Sequence, residues 1–153
     1  MHVVAITGYR DSGKTTLVER LVPELAERGS VATVKSIHHD VEIDTPGKDT
    51  HRHRSAGADA VVGLTPSLTF QVRVEGTDAD TDPDDSLDRG LDVLDGEYDF
   101  VVAEGFKSAA IPKILVGDIE DEAVRGDVIA RVDEPRHLEP GDIADLVARV
   151  ADR

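Results

Sequence analysis

The chain contains no cysteine, and no apolar run in it is long enough to cross a membrane. The first absence excludes disulfides and thiolate metal sites. The second excludes a membrane-spanning helix. The N-terminus runs directly into a strand-like segment, without the pattern of a signal peptide, so a cytoplasmic location is expected. Lysine is scarce, with 5 residues against 12 arginines, and acids outnumber bases 32 to 17 for a net charge of −15. Such a surface argues against nucleic acid or an anionic membrane as a partner, since both require a basic patch. Of the acids, 21 are Asp and 11 Glu. A surface of this kind suits high salt, where self-repulsion is screened. At 153 residues the chain is read as one domain, 1–153, able to bury about two-thirds of its unfolded surface.

Against this background one motif stands out. Gly8-Tyr9-Arg10-Asp11-Ser12-Gly13-Lys14-Thr15 has the complete G-x-x-x-x-G-K-[ST] form of a phosphate-binding loop. The apolar, β-branched run His2–Thr7 before it reads as a buried strand. Thr16 to Arg28 after it places Leu17, Leu21, Val22, Leu25 and Ala26 on one helical face, and Gly29 reads as the stop. Inward-pointing N–H groups of such a loop, with the following helix N-terminus, make an anion site. Gly8 and Gly13 permit a path that a Cβ would obstruct. Lys14 is placed to reach the β- and γ-phosphates, and Thr15 to offer its hydroxyl to Mg²⁺. Thr16 is a candidate for the α-phosphate.

The rest of the chain alternates strand and helix patterns. Strands are expected at 31–35, 59–64, 67–75, 98–103, 111–116 and 127–132, and helices at 50–56, 87–94 and 140–153. Asp49 is the expected cap of the short helix and Gly57 its stop. The alternation of Leu68, Phe70, Val72 and Val74 marks 67–75 as a half-exposed, antiparallel edge strand. Residues 76–85 read as a solvated acidic loop; they lack the glycine and terminal glutamate of an EF-hand calcium loop. The fold class is therefore α/β: a P-loop NTPase-type, mainly parallel sheet flanked by helices, with an antiparallel edge strand.

Ligands of such sheets bind beyond the carboxyl ends of strands, and three clusters fall there. Lys35-Ser36-Ile37-His38-His39-Asp40 leads into Asp44 through Arg54, so that four of the six histidines lie within 16 residues. Three readings stay open for it: a zinc or nickel site, a basic pocket for phosphate or a polyanion, and a solvated polar loop. Glu104-Gly105-Phe106-Lys107 ends a buried strand with an acid, as a nucleotidase does to hold Mg²⁺ or its water. Asp133 ends the last strand and is able to accept from a guanine N1–H and amino group, or else belongs to a plain turn.

Together these segments resemble one family. Gly8–Thr16, His38-His39-Asp40, Pro46-Gly47-Lys48-Asp49 with Arg52-His53, Ala56-Gly57-Ala58, Glu104-Gly105-Phe106-Lys107 and Pro112-Lys113 look like the molybdopterin-guanine dinucleotide biosynthesis adaptor (MobB) family, in order over nearly the whole chain. The pattern departs where Lys35 is followed by Ser36 rather than histidine. The resemblance implies a GTP-binding, weakly hydrolysing, usually homodimeric protein that assists the guanylyltransferase joining GMP to molybdopterin. It implies that Gly8, Tyr9, Arg10, Asp11, Ser12, Gly13, Lys14, Thr15 and Thr16 bind Mg²⁺·GTP, with Glu104 beside the metal and Lys14 and Glu104 the catalytic pair. His38, His39, Asp40, Pro46, Gly47, Lys48, Asp49, Arg52, His53 and Lys107 then form a face for the partner or for molybdopterin. The nucleotide is expected in the groove above the first two strands. Two other functions fit parts of the sequence: a small-molecule kinase with 48–54 as lid, and a nickel-inserting GTPase using the histidines.

Overall fold

In a computed structural model, residues 1–75, 83–94 and 96–152 are described. The chain gathers into two compact units, one of residues 1–36 and 82–153 and one of residues 37–81.

The first unit is built on a five-stranded parallel sheet. Its strands are β1 (His2–Gly8), β2 (Val31–Lys35), β5 (Phe100–Glu104), β6 (Lys113–Val116) and β7 (Val128–Val132), in the order β2-β5-β1-β6-β7. Strands buried on both faces need continuous apolar runs, and β5 (Phe-Val-Val-Ala-Glu) and β6 (Lys-Ile-Leu-Val) have them. On one face Val4, Ile6, Val102, Ile114 and Val116 pack with Leu17, Leu21 and Leu25 of α1 (Lys14–Ala26) and with Ile143, Leu146, Val147 and Val150 of α4 (Pro140–Ala151). On the other, Ala5 and Ala103 pack with Leu87 of α3 (Pro83–Val93) and with Phe106 and Ala109.

Because β5 lies between β1 and β2, the groove expected above strands one and two is lined by the end of β5 as well. This sheet order results from long-range pairing, which local sequence pattern does not encode. Helix α1 begins two residues before the apolar spacing suggests, since Gly13 (φ 95°) caps it and Lys14 and Thr15 form its first turn. Pro23 sits inside the helix on its exposed side, at the loss of one helical hydrogen bond. Gly29 is not a left-handed cap. A Cβ there would lie 2.5 Å from Asp99 Oδ2, so the glycine serves a close approach. Helix α3 starts at Pro83, four residues earlier than expected, because Pro and acidic residues suit a first turn. Residues 76–82 of the acidic segment lie outside the described residues.

The second unit holds α2 (Asp49–Ser55) and a separate two-stranded antiparallel sheet of β3 (Ala60–Leu64) and β4 (Thr69–Arg73). The strand expected to be half-exposed pairs with β3, with Val61 opposite Val72 and Gly63 opposite Phe70; Val72 is partly buried and the other residues of β4, Phe70 included, are exposed. A Cβ at Gly63 would meet the Phe70 ring at 2.1 Å, which explains the glycine inside a strand. Asp49 is the first residue of α2 and not its cap; Lys48 occupies the cap position, with no side-chain capping bond among the described residues.

Candidate functional site: a phosphate loop closed by an acid from β5

The loop between β1 and α1 shows why its glycines are needed. A Cβ at Gly8 would stand 2.3 Å from the carbonyl oxygen of Val116 in β6 and 2.6 Å from Ser12 Oγ. Gly13 adopts a left-handed conformation against Pro135, whose Cγ would be 3.2 Å from a Cβ there. Asp11 is left-handed too (φ 61°). Tyr9, Arg10 and Asp11 are exposed, and Arg10 and Asp11 make a solvent-facing ion pair at 3.8 Å. Lys14 Nζ donates to the Tyr9 carbonyl at 2.6 Å, inside the loop it serves. Ser12 Oγ is enclosed and has no hydrogen-bond partner among the described residues. Thr16 stands in the first turn of α1.

Register brings Glu104 to this loop. Ile6 pairs with Glu104 across the β1–β5 ladder, and Lys35 pairs with Glu104 across β2–β5. The Thr15 hydroxyl donates to the Glu104 carboxylate, at 3.0 Å to Oε1 and 3.2 Å to Oε2. Lys35 Nζ donates to the same Oε1 at 2.9 Å. Beneath them the buried Thr7 hydroxyl donates to the Gly105 carbonyl at 2.7 Å, fastening the end of β1 to the end of β5. A hydroxyl whose proton is held by a carboxylate keeps its lone pairs for a metal. Hydroxyl and carboxylate oxygens are the hard donors that Mg²⁺ takes. The donor set and the glycine cradle therefore fit a magnesium–triphosphate.

Asp133 is exposed just beyond β7. The turn that follows it is fixed to α1: Arg20 donates from Nη1 to the Pro135 carbonyl at 2.6 Å and from Nη2 to that of Leu138. Lys107 is exposed, and its carbonyl accepts from the Arg125 N–H at 2.9 Å.

The other face residues belong to the second unit. His38, His39 and Asp40 are exposed in irregular backbone, and Pro46 and Gly47 (φ 83°) form the turn into α2. Asp49 pairs with Arg52 at 3.9 Å. Asp49, Arg52, His53, Ser55 and Ala56 line an open depression of about 530 Å³. Among the described residues no three His, Asp or Glu side chains gather as a metal centre requires. The clustering of histidines in sequence therefore has no counterpart as a metal-binding cluster there.

A model of the family described as MobB, molybdopterin guanine dinucleotide synthesis protein B, matches residues 3–132. The chain belongs to this family. It is 40% identical over 116 residues to the molybdopterin-guanine dinucleotide biosynthesis adapter protein of Haemophilus influenzae, covering 74% of this chain and 62% of that one. It is 40% identical over 123 residues to a putative adapter protein of the same description from Methanocaldococcus jannaschii, covering 76% and 47%. The chain thus spans less than two-thirds of either relative. The crystal structure of Bacillus subtilis MobB superposes with a TM-score of 0.70 at 25% identity, over 98% of both chains.

Two parts of this MobB-family chain were not singled out by sequence reading. One is Lys35, quoted in its cluster but not assigned to the loop; a lysine closing a strand in a lysine-poor chain was the available signal. The other is the brace of the second unit. Glu42 Oε1 accepts from Arg54 Nη2 at 2.5 Å, and Glu42 Oε2 lies 3.7 Å from His51 Nε2. The Arg54 bond, helped by the Asp44 N–H, lowers the Glu42 carboxyl from its ordinary 4.5 to about 2. A carboxyl lowered on folding stabilises above its unfolded value, and that stabilisation is lost as pH falls through the folded one. The brace is therefore expected to hold at pH 4 and to release near pH 2. A carbon NMR titration of Glu42 checks this; a midpoint near 4.5 would refute it.

Proposed function

We propose that this chain is a GTP-binding adaptor that hydrolyses GTP slowly with Mg²⁺ and assists the guanylyltransferase forming molybdopterin guanine dinucleotide. The observation that carries the reading is the Thr15–Glu104 hydrogen bond across a complete phosphate loop, in a chain of the MobB family. In this reading Gly8 to Thr16 wrap the triphosphate, and Lys14 carries its charge. Thr15 and Glu104 present oxygens to the magnesium, whose contribution is to neutralise phosphate charge as it develops. Asp133 reads the guanine edge from a turn that Arg20 and Pro135 keep beside the loop. Slow turnover follows from the side chains available. The chain's single glutamine, Gln71, is in β4 and not in the phosphate loop or at the end of β5, where a water-orienting residue is looked for.

The exposed residues His38, His39, Asp40, Lys48, Asp49, Arg52 and His53 supply the face for the transferase or for molybdopterin. A homodimer is supported by the β3–β4 hairpin, where Val62, Leu64 and Leu68 are exposed apolar side chains that a second copy would cover. No helix among the described residues is long and apolar enough to cross a membrane, and a cytoplasmic site of action is part of the proposal.

The deciding experiment is co-purification with the guanylyltransferase in high salt, with and without GTP. Association that depends on GTP is expected. No association in either state, with phosphate passed to a small acceptor, would replace this reading by the kinase. The acidic surface adds a second expectation: a higher unfolding temperature in molar KCl than in dilute buffer, because salt screens a net charge of −15. Equal unfolding temperatures would refute salt adaptation.

A further inference from the structure

The Glu104 carboxylate serves two partners at once, Thr15 on one side and Lys35 on the other. Its side chain is only 12% exposed, whereas that of Lys35 is 53% exposed. The acid is enclosed and bonded on two sides, while the lysine is half open to solvent. The placement of Lys35 is fixed by the sheet, because its backbone is in register with that of Glu104. One carboxylate therefore separates a half-exposed ammonium from the hydroxyl where a metal-bound triphosphate would sit.

We propose that Lys35 is a second lysine of the nucleotide site, paired with Glu104 when the loop is empty and with the terminal phosphate when Mg²⁺ and a triphosphate are bound. This rests on the phosphate-loop reading above. The physical reason is competition. A divalent cation beside Glu104 supplies the positive charge that the ammonium supplied, and two cations at contact distance repel. The ammonium keeps three donors that need acceptors, and the nearest new anion is the outermost phosphate. A diphosphate ends short of that position, so Lys35 distinguishes triphosphate from diphosphate.

The test is calorimetric titration of GTP and of GDP into the unaltered protein and into Lys35→Met, with Mg²⁺ and again with EDTA. Methionine keeps the stem and removes the charge. With Mg²⁺ the variant is expected to bind GTP about tenfold more weakly, a typical effect of one charged phosphate contact, and GDP as before. With EDTA the difference is expected to vanish, because Lys35 then stays on Glu104. An equal loss for both nucleotides, a loss that persists in EDTA, or no loss at all would each overturn the proposal while leaving the phosphate loop standing. Failure of the unaltered protein to bind GTP would overturn both.

Discussion

Lys14→Ala is expected to abolish GTP binding in a titration where the unaltered protein binds. Lys14 opens α1, and its ammonium rests on the Tyr9 carbonyl at 2.6 Å, already turned into the loop. A bound triphosphate would exchange that neutral acceptor for charged ones. Hydrogen bonds involving ionised groups contribute about 1.5–3 kcal/mol each. Two such contacts, to the β- and γ-phosphates, imply a loss on the order of a hundredfold or more. The substitution removes no core side chain, so the unfolding temperature should stay nearly unchanged. An affinity within about twofold of the original would refute the role given to Lys14.

The second large effect concerns stability. Lys113→Ala is expected to destabilise the fold by about 3–5 kcal/mol, because several carbonyl acceptors lose one charged donor at the same time. The Lys113 side chain is fully buried at the start of β6. Its Nζ donates to the carbonyls of Ala109 at 2.7 Å and Phe106 at 3.0 Å, with Ile111 at 3.5 Å. These three acceptors belong to the loop that follows Glu104, where Gly105 (φ 102°) and Phe106 (φ 51°) are both left-handed. A non-glycine residue in that conformation persists only where its surroundings enforce it. Lys113 is one enforcing contact; burial of the Phe106 ring is another. For a chain of this length the unfolding temperature should drop by roughly 10 °C. Lys113→Met, which restores the volume but not the donors, should recover only a small part of that. A drop of less than about 2 °C with alanine would show that the loop holds itself.

Local chemistry was legible in the sequence where it is local in space. The phosphate loop, its strand and its helix are consecutive, so the motif and apolar spacing gave their arrangement directly. The short helix and the antiparallel character of 67–75 were also readable, since both follow from neighbouring residues. What was not legible depends on distant pairing. Nothing near Lys35 indicates that Glu104, 69 residues on, will be its strand partner. The burial of Lys113 was not legible, because the carbonyls that surround it come from a loop whose path local pattern does not set. Gly29 illustrates the same limit at smaller scale: a glycine after a helix usually marks a left-handed turn, but here the requirement comes from Asp99 across the sheet. Sequence adjacency also suggested a metal cluster from the histidines, which needs three-dimensional convergence that the described residues do not show.

The sheet order has a consequence for how the chain is made. β1 is flanked by β5 and β6, and among the described residues β2 has β5 as its one neighbour in the sheet. A ribosome that has released the chain as far as residue 99 has therefore delivered β1 and β2 of the main sheet before β5, the strand that pairs with both. Pairing this distant is slow to form, because a long loop must close before any contact rewards it. The phosphate loop, synthesised well before β5, consequently waits for that strand before it acquires its acid. A chain interrupted before Glu104 would carry the whole nucleotide motif in its sequence and still lack a completed site.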